Sequence, residues 1–264
     1  MTPITSPVHA RAESWGVRWR RSPQARLRLF CLPHAGGGAA AFRHWAAHLS
    51  PGIEVVAIRL PGRETRFREE PHHRLDRLVS ALVRDIEPLL DRPHAWFGHS
   101  MGAGIAFEAC RAMRRLGMPE PRRLLVAASP APHLPRRETP VHQAPDHDLV
   151  ARLGELNGTS AELFKDKAVL AALLPMLRAD FSVAETHRYR PEAPLTCPIS
   201  AYGGTDDATT TPGDLQEWDR HTTADATVRA FSGGHFFLHE SANRFLDVLT
   251  ADLLLGRAAL TEHH

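Results

Sequence analysis

At 264 residues the chain is long enough to bury an ample core, either as one large domain or as two small ones. Its 43% hydrophobic and 23% charged content is that of an ordinary globular enzyme, and a formal net charge of +2 gives no support for a nucleic-acid binder. Three cysteines, Cys31, Cys110 and Cys197, are far apart and odd in number, so neither a disulfide framework nor a zinc spacing is present and each reads as a small buried hydrophobe. The opening stretch carries Arg11, Arg18, Arg20 and Arg21 without the apolar centre of a secretory signal, and no run approaches the roughly 18 apolar residues of a membrane span. A cytoplasmic protein is expected.

In chain order, residues 1–14 read as a polar tail, and Trp15 to Trp19 alternates as a short edge strand would. Leu27 to Leu32 is a better strand that runs into Pro33-His34-Ala35-Gly36-Gly37-Gly38, and Ala39 to Leu49 follows as a helix. A strand at Ile53 to Ile58 ends in Leu60-Pro61-Gly62-Arg63-Glu64. Between Leu75 and Leu90, the residues Leu75, Leu78, Val79, Leu82, Val83 and Ile86 recur at the spacing of an amphipathic helix. The apolar run Ala95 to Phe97 then meets Gly98-His99-Ser100-Met101-Gly102, which small helix-forming residues follow, and Arg123 to Ala128 is another apolar strand.

From 132 to 194 the strands stop, and helical stretches are expected at Asp148 to Leu156, Ala161 to Phe164 and Ala168 to Thr186. The alternation resumes with Ile199 to Tyr202, a helix opened by Thr211 and Pro212, the strand Ala226 to Phe231 and a last helix from Glu240 to Leu255. Such alternation predicts an α/β fold, a mostly parallel sheet with helices on both faces. The core is assigned to 15–131 and 195–257 and a C-terminal tail to 258–264. The helical insertion at 132–194 reads as a lid over the strand ends, with a plain helical subdomain as the alternative.

The strand, sharp turn and helix around G-x-S-x-G make Ser100 the candidate nucleophile, because glycines two before and two after keep Cβ atoms out of a strained turn. The five-residue pattern is weakly specific, and its flanks supply most of the weight; a glycine-rich connection without chemistry is the alternative. A serine at its ordinary pKa needs a base and an acid to orient that base. Of 17 histidines, His235 stands out in a glycine-bent loop just past the last strand. His239 is its nearest rival, expected to be exposed on the last helix, while His72, His73, His94 and His142 read as solvated. The acid should close the preceding strand, where Asp206 and Asp207 compete and Asp207 is preferred. For the oxyanion, one donor is the N–H of Met101 and the other Ala35 N–H, with Gly36 second. The glycine loop lacks the nucleotide-binding patterns.

Five blocks together resemble the type II thioesterases, discrete editing enzymes of polyketide and nonribosomal peptide synthesis with an α/β-hydrolase fold. They are Phe30-Cys31-Leu32-Pro33-His34-Ala35-Gly36-Gly37, Leu60-Pro61-Gly62-Arg63-Glu64, Gly98-His99-Ser100-Met101-Gly102-Ala103, Leu177-Arg178-Ala179-Asp180-Phe181 and Gly233-Gly234-His235-Phe236-Phe237. The resemblance runs from about residue 15 to 255, in order. It implies Ser100 as nucleophile, His235 as base, Asp207 as acid, and Met101 and Ala35 as oxyanion donors. Ala208 departs from it, since proline is frequent after the acid.

The resemblance also implies hydrolysis of thioesters that join short or stalled acyl groups to the phosphopantetheine arm of acyl or peptidyl carrier proteins. No metal or cofactor is expected, the phosphopantetheine belonging to the substrate, and neither nucleic acid nor membrane is an expected partner; a monomer is expected. Leu153, Leu156, Leu163, Leu170, Leu173, Leu174 and Leu177 are candidate pocket walls, although leucines at helical spacing are more often core. Arg63, Arg66 and Arg68 read as a solvated basic loop, with contact to an acidic carrier protein as the alternative. Competing readings of the whole are a carboxylesterase or acyltransferase acting on small free esters, and a hydrolase-fold protein that binds carriers without turnover.

Overall fold

The computed structural model describes residues 15–156 and 166–255. The expected tails at 1–14 and 258–264 and the helical stretch Ala161 to Phe164 lie outside them. In chain order the elements are β1 (Gly16–Val17), β2 (Leu27–Leu32), α1 (Arg43–His48), β3 (Ile53–Ile58), α2 (Leu75–Ile86), β4 (His94–His99), α3 (Met101–Arg115) and β5 (Leu124–Ala127). Then come α4 (Asp146–Glu155), α5 (Lys167–Thr186), β6 (Ile199–Gly204), α6 (Pro212–Gln216), β7 (Ala226–Phe231), α7 (Phe237–Glu240) and α8 (Ala242–Leu254).

The sheet has seven strands in the order β1-β3-β2-β4-β5-β6-β7. Only β1 is antiparallel, pairing Gly16 with Ile58 and Val17 with Ala57; the other six strands run parallel. Every residue of β2, β3, β4, β5 and β6 is buried, as a sheet covered on both faces requires. One core forms where α2 and α3 cover the sheet, around Phe30, Leu82, Trp96 and Ile105. The other forms beneath α1 and α8, around Trp45, Phe97, Tyr202 and Phe245. The six apolar residues expected to line one face of α2 are all buried, and each contributes about 1.5–3 kcal/mol by leaving water. That outweighs intrinsic helix propensity, so tertiary packing holds α2.

Small differences from the sequence reading have local causes. The helix expected from Ala39 begins as a tight turn, Ala39–Phe42, before α1. The last helix is broken at Ser241, whose φ of −119° and ψ of 40° separate α7 from α8. His94, expected in solvent, is 1% exposed at the start of β4 and bonds Pro119 O at 3.2 Å. The strand there has no solvent face for it. His142 is also held, 2.7 Å from Glu185 Oε2. Arg63 and Arg66 are each 5% exposed and are not a solvated loop: Asp180 and Glu69 neutralise them, and only Arg68 is exposed.

Between β5 and β6, helices α4 and α5 join through a small apolar cluster of their own, Leu149, Leu153, Met176, Leu177 and Phe181. This insertion roofs the strand ends and encloses a cavity of about 700 Å³. Of the leucines expected to wall it, Leu153 and Leu156 do; Leu173, Leu174 and Leu177 pack in or against the helix–helix cluster, Leu170 is half-buried on α5 and does not line the cavity, and Leu163 lies outside the described residues. Among the described residues no helix is long and apolar enough to cross a membrane.

Candidate active site

Ser100 sits between β4 and α3 with φ 54° and ψ −116°, a left-handed conformation that costs about 1–3 kcal/mol for a residue with a side chain. The surroundings hold it there. Ser100 N–H donates to Ala127 O at 2.8 Å, which ties the turn to β5. A Cβ on Gly98 would stand 2.1 Å from Gly102 O, and one on Gly102 would stand 2.4 Å from Leu32 O. Helix, turn and neighbouring strand therefore meet backbone to backbone, and only glycine fits at both positions.

His235 follows β7 in the loop that Gly233 and Gly234 bend. That loop crosses the end of β6 so closely that a Cβ on Gly204 would lie 2.3 Å from the carbonyl oxygens of both. The crossing brings His235 Nε2 to 2.9 Å from Ser100 Oγ. On the other side of the ring, Nδ1 is 2.9 Å from Asp207 Oδ2. A carboxylate only accepts, so Nδ1 carries the proton and Nε2 is free to accept from Ser100. Asp207 is buried, whereas Asp206 is exposed, and its carboxylate accepts from the Thr205 hydroxyl at 3.3 Å and does not reach His235. His239, the rival base, is exposed on α7.

Burial would raise the Asp207 carboxyl, but hydrogen bonds from His235 and Thr209 outweigh it and hold the group below the usual carboxylate range. Thr209 was not visible as a site residue in the sequence. Its N–H and its hydroxyl both donate to Asp207 Oδ1 at 2.8 Å, and its oxygen lies 3.1 Å from His235 Nδ1. The available signal was a hydroxyl residue two places after the acid, where a turn brings it back over the carboxylate.

His99 is a second residue that no sequence signal marks. Its Nε2 is 2.9 Å from the carbonyl oxygen of His235, and it is fully buried beneath the site. Burial first, then the neighbouring His34 and His235, keeps its pKa well below the usual value, so the ring is neutral and its Nε2–H donates to that carbonyl. His34 is likewise held neutral, its pKa lowered to about 3 by burial and by His239 and His235.

The two expected oxyanion donors face the same cavity as Ser100. Met101 opens α3, where N–H groups have no partner within the helix. Ala35 N–H donates to no acceptor among the described residues. The alternative, Gly36 N–H, is already given to Asp180 Oδ2 at 2.8 Å. The three cysteines are buried away from this chemistry, and burial raises their thiols, Cys197 to about 11, so none is a thiolate at neutral pH.

A strained serine at the end of a central parallel strand, a histidine after the last strand and an aspartate after the one before it define an α/β-hydrolase, with the partners in that fold's order Ser, Asp, His. The chain belongs to the thioesterase family, whose Thioesterase domain matches residues 27–253. It is 39% identical over 246 residues to the gramicidin S biosynthesis protein GrsT of Aneurinibacillus migulanus, covering 93% of this chain and 96% of that protein. Among solved structures it is similar to the type II thioesterase BorB from the borrelidin biosynthetic cluster, with TM-score 0.83, 39% identity and coverage of 93% of this chain and 100% of that one. It is also similar to YbtT, a type II thioesterase from the yersiniabactin NRPS/PKS pathway, with TM-score 0.82, 28% identity and coverage of 92% and 99%.

Proposed function

We propose that the protein is a type II thioesterase that releases acyl groups from the phosphopantetheine arm of carrier proteins in polyketide or nonribosomal peptide synthesis. Ser100, His235 and Asp207 do the chemistry. The hydrogen-bonded chain from Ser100 Oγ through both nitrogens of His235 to Asp207, opening on a cavity of about 700 Å³, is the observation that carries this reading. The pathway contexts of GrsT, BorB and YbtT support the carrier-bound substrate.

In the reaction, His235 Nε2 takes the Ser100 proton as Oγ bonds to the thioester carbonyl carbon, and the carbonyl oxygen becomes an oxyanion held by the Ala35 and Met101 N–H groups. The C–S bond breaks, the imidazolium returns its proton to the departing thiolate, and the acyl group stays on Ser100. A water, deprotonated by His235, adds to that ester, and collapse of the second oxyanion frees the acid and reprotonates Ser100. Asp207 holds the ring in the tautomer both halves need. Every proton is accounted for by the serine, the imidazole and water, so the proposed cycle calls for no metal or cofactor. A monomer acting in the cytoplasm is part of the proposal.

The test is intact-mass spectrometry of an acetyl- or propionyl-loaded carrier protein incubated with the enzyme, beside a matched free ester. Loss of the acyl mass well ahead of ester hydrolysis is expected, with Ser100→Ala slower by roughly 10⁴-fold or more. Cleavage of the ester while the carrier stays loaded would replace this reading with a general esterase.

A further inference from the structure

The candidate oxyanion donor belongs to a turn. Gly37 N–H closes it by donating to His34 O at 2.9 Å, Ala35 stands second, and Gly36 takes the third place with φ +80°, the positive value that a type II turn demands there. Two charged side chains from distant parts of the chain seize this turn. Asp180 of α5 accepts Gly36 N–H on Oδ2 at 2.8 Å. Arg63, from the loop after β3, donates to Gly37 O at 2.7 Å and grips Asp180 with both arms of its fork, at 2.9 and 2.6 Å. Both side chains are buried, Arg63 to 5% exposure and Asp180 to 2%. A third contact is steric: a Cβ on Gly36 would lie 2.8 Å from Leu177 Cδ2, so α5 rests directly on the turn. Beside it, Glu64 accepts the Ala40 N–H at 2.8 Å.

A buried ion pair roughly breaks even against an apolar pair as a source of stability. What apolar residues lack is direction. The Arg63–Asp180 pair fixes the peptide N–H of Gly36 and the carbonyl of Gly37, the groups that follow Ala35, and so sets the orientation of the Ala35 peptide toward the cavity.

We infer that Asp180 and Arg63 are positioning residues for the oxyanion donor, acting through Gly36 and Gly37 so that the Ala35 N–H is aimed only while helix α5 is seated on the turn. This rests on the assignment of Ala35 as a donor. The roof of the acyl cavity and the oxyanion hole then form as one unit: α5 supplies both the cover and the carboxylate that shapes the hole.

The test uses the full chain with a p-nitrophenyl ester, which reports serine chemistry whatever the natural acyl donor, and an alkylboronic acid, whose adduct with Ser100 mimics the tetrahedral state. Asp180→Asn should lower kcat by about 10²-fold, the scale of losing one oxyanion donor, with KM within about threefold. Boronic acid affinity should fall in proportion, and the pH profile of kcat/KM should keep its shape because Asp207 and His235 are untouched. The double variant Arg63→Met with Asp180→Leu leaves no buried charge unpaired and should lose activity to the same extent with its thermal midpoint nearly retained.

Unchanged kcat, or a fall in kcat without a fall in boronic acid affinity, would overturn the inference. Should these variants fail to fold, hydrogen exchange on the unmutated protein decides. The Gly36 amide is expected to exchange in step with the α5 amides around Asp180; exchange tenfold faster would refute the coupling. An unmutated protein inert toward ester and boronic acid alike would bring down the serine site and this inference together, whereas one active on the ester but not on loaded carriers would change only the substrate reading.

Discussion

Asp207 and Asp206 are adjacent, chemically identical and both acceptable to a reader of the sequence, yet one is buried against His235 and the other points to solvent. Asp207→Asn is therefore expected to reduce kcat by about 10⁴-fold through loss of the correct imidazole tautomer, and Asp206→Asn to leave it within about twofold; steady-state kinetics on the two variants separate them. Thr209 adds a graded case. Its hydroxyl donates to the carboxylate and lies against the Nδ1 side of His235, so Thr209→Val should cost about tenfold in kcat/KM while Thr209→Ser stays near the unmutated value. Equal losses in the two variants would assign the effect to packing. Serine, histidine and the choice of acid were legible because a motif, a glycine loop and a family resemblance marked them. Thr209 and His99 were not, since each acts through a bond to another residue, Asp207 in one case and the His235 carbonyl in the other.

The elements around the site depend on backbone approaches that no side chain survives. Gly98 and Gly102 sit 2.1 and 2.4 Å, at an imagined Cβ, from main-chain oxygens of α3 and β2, and main chain in a packed sheet cannot give way as a flexible side chain would. Gly98→Ala and Gly102→Ala should each destabilise by at least about 1–3 kcal/mol, the cost of overpacking, and displace the serine; urea unfolding together with labelling of Ser100 by a fluorophosphonate checks both effects. Gly104→Ala, two residues further along α3 and meeting nothing within 4 Å, is the control and should be neutral or slightly stabilising. The strands and helices of the core were predictable at this scale, β2, β3 and β7 to the residue, because apolar runs and three-and-four spacing survive in a single sequence. What periodicity could not separate was a leucine facing the cavity from one facing a neighbouring helix, and on α5 Leu177 proves to be of the second kind.

At the scale of the whole molecule, four histidines among the described residues have strongly lowered pKa values and no carboxylate in direct hydrogen bond: His34, His94, His99 and His221. Burial lowers each pKa from its usual 6.5, to about 3 for His34, to about 4 for His94 and for His221, the latter also facing His133, Arg111 and Arg220, and well below the usual value for His99. A histidine with a depressed folded pKa binds its proton sooner when unfolded, so unfolding takes up protons below about pH 6.5 and stability falls as the pH is lowered toward 4. Each group contributes about 1.4 kcal/mol per pH unit inside that window. The thermal midpoint should drop steeply between pH 6.5 and 4.5, and calorimetry in buffers of different ionisation enthalpy should find roughly four protons or more taken up on unfolding at pH 5. Uptake near zero would mean that these rings are protonated in the folded protein.

The sequence by itself determined the class of fold, the order of its strands and helices along the chain, and the candidate serine and histidine that the fold brings together, because each is written in a local pattern: hydrophobic period, glycine at a turn, a loop after a strand. Only the tertiary structure engaged the Gly36 N–H with Asp180, 144 residues later in the chain, sent Arg63 and Arg66 inward and buried His94. The physical reason is burial, which a single sequence does not reveal for a polar side chain. A charged or polar side chain reads as solvated until its partner is known: Arg63 finds Asp180 on a helix 117 residues away, His94 finds a carbonyl on a separate loop, and even Arg66, whose partner Glu69 is three residues on, is buried only because the chain packs over it.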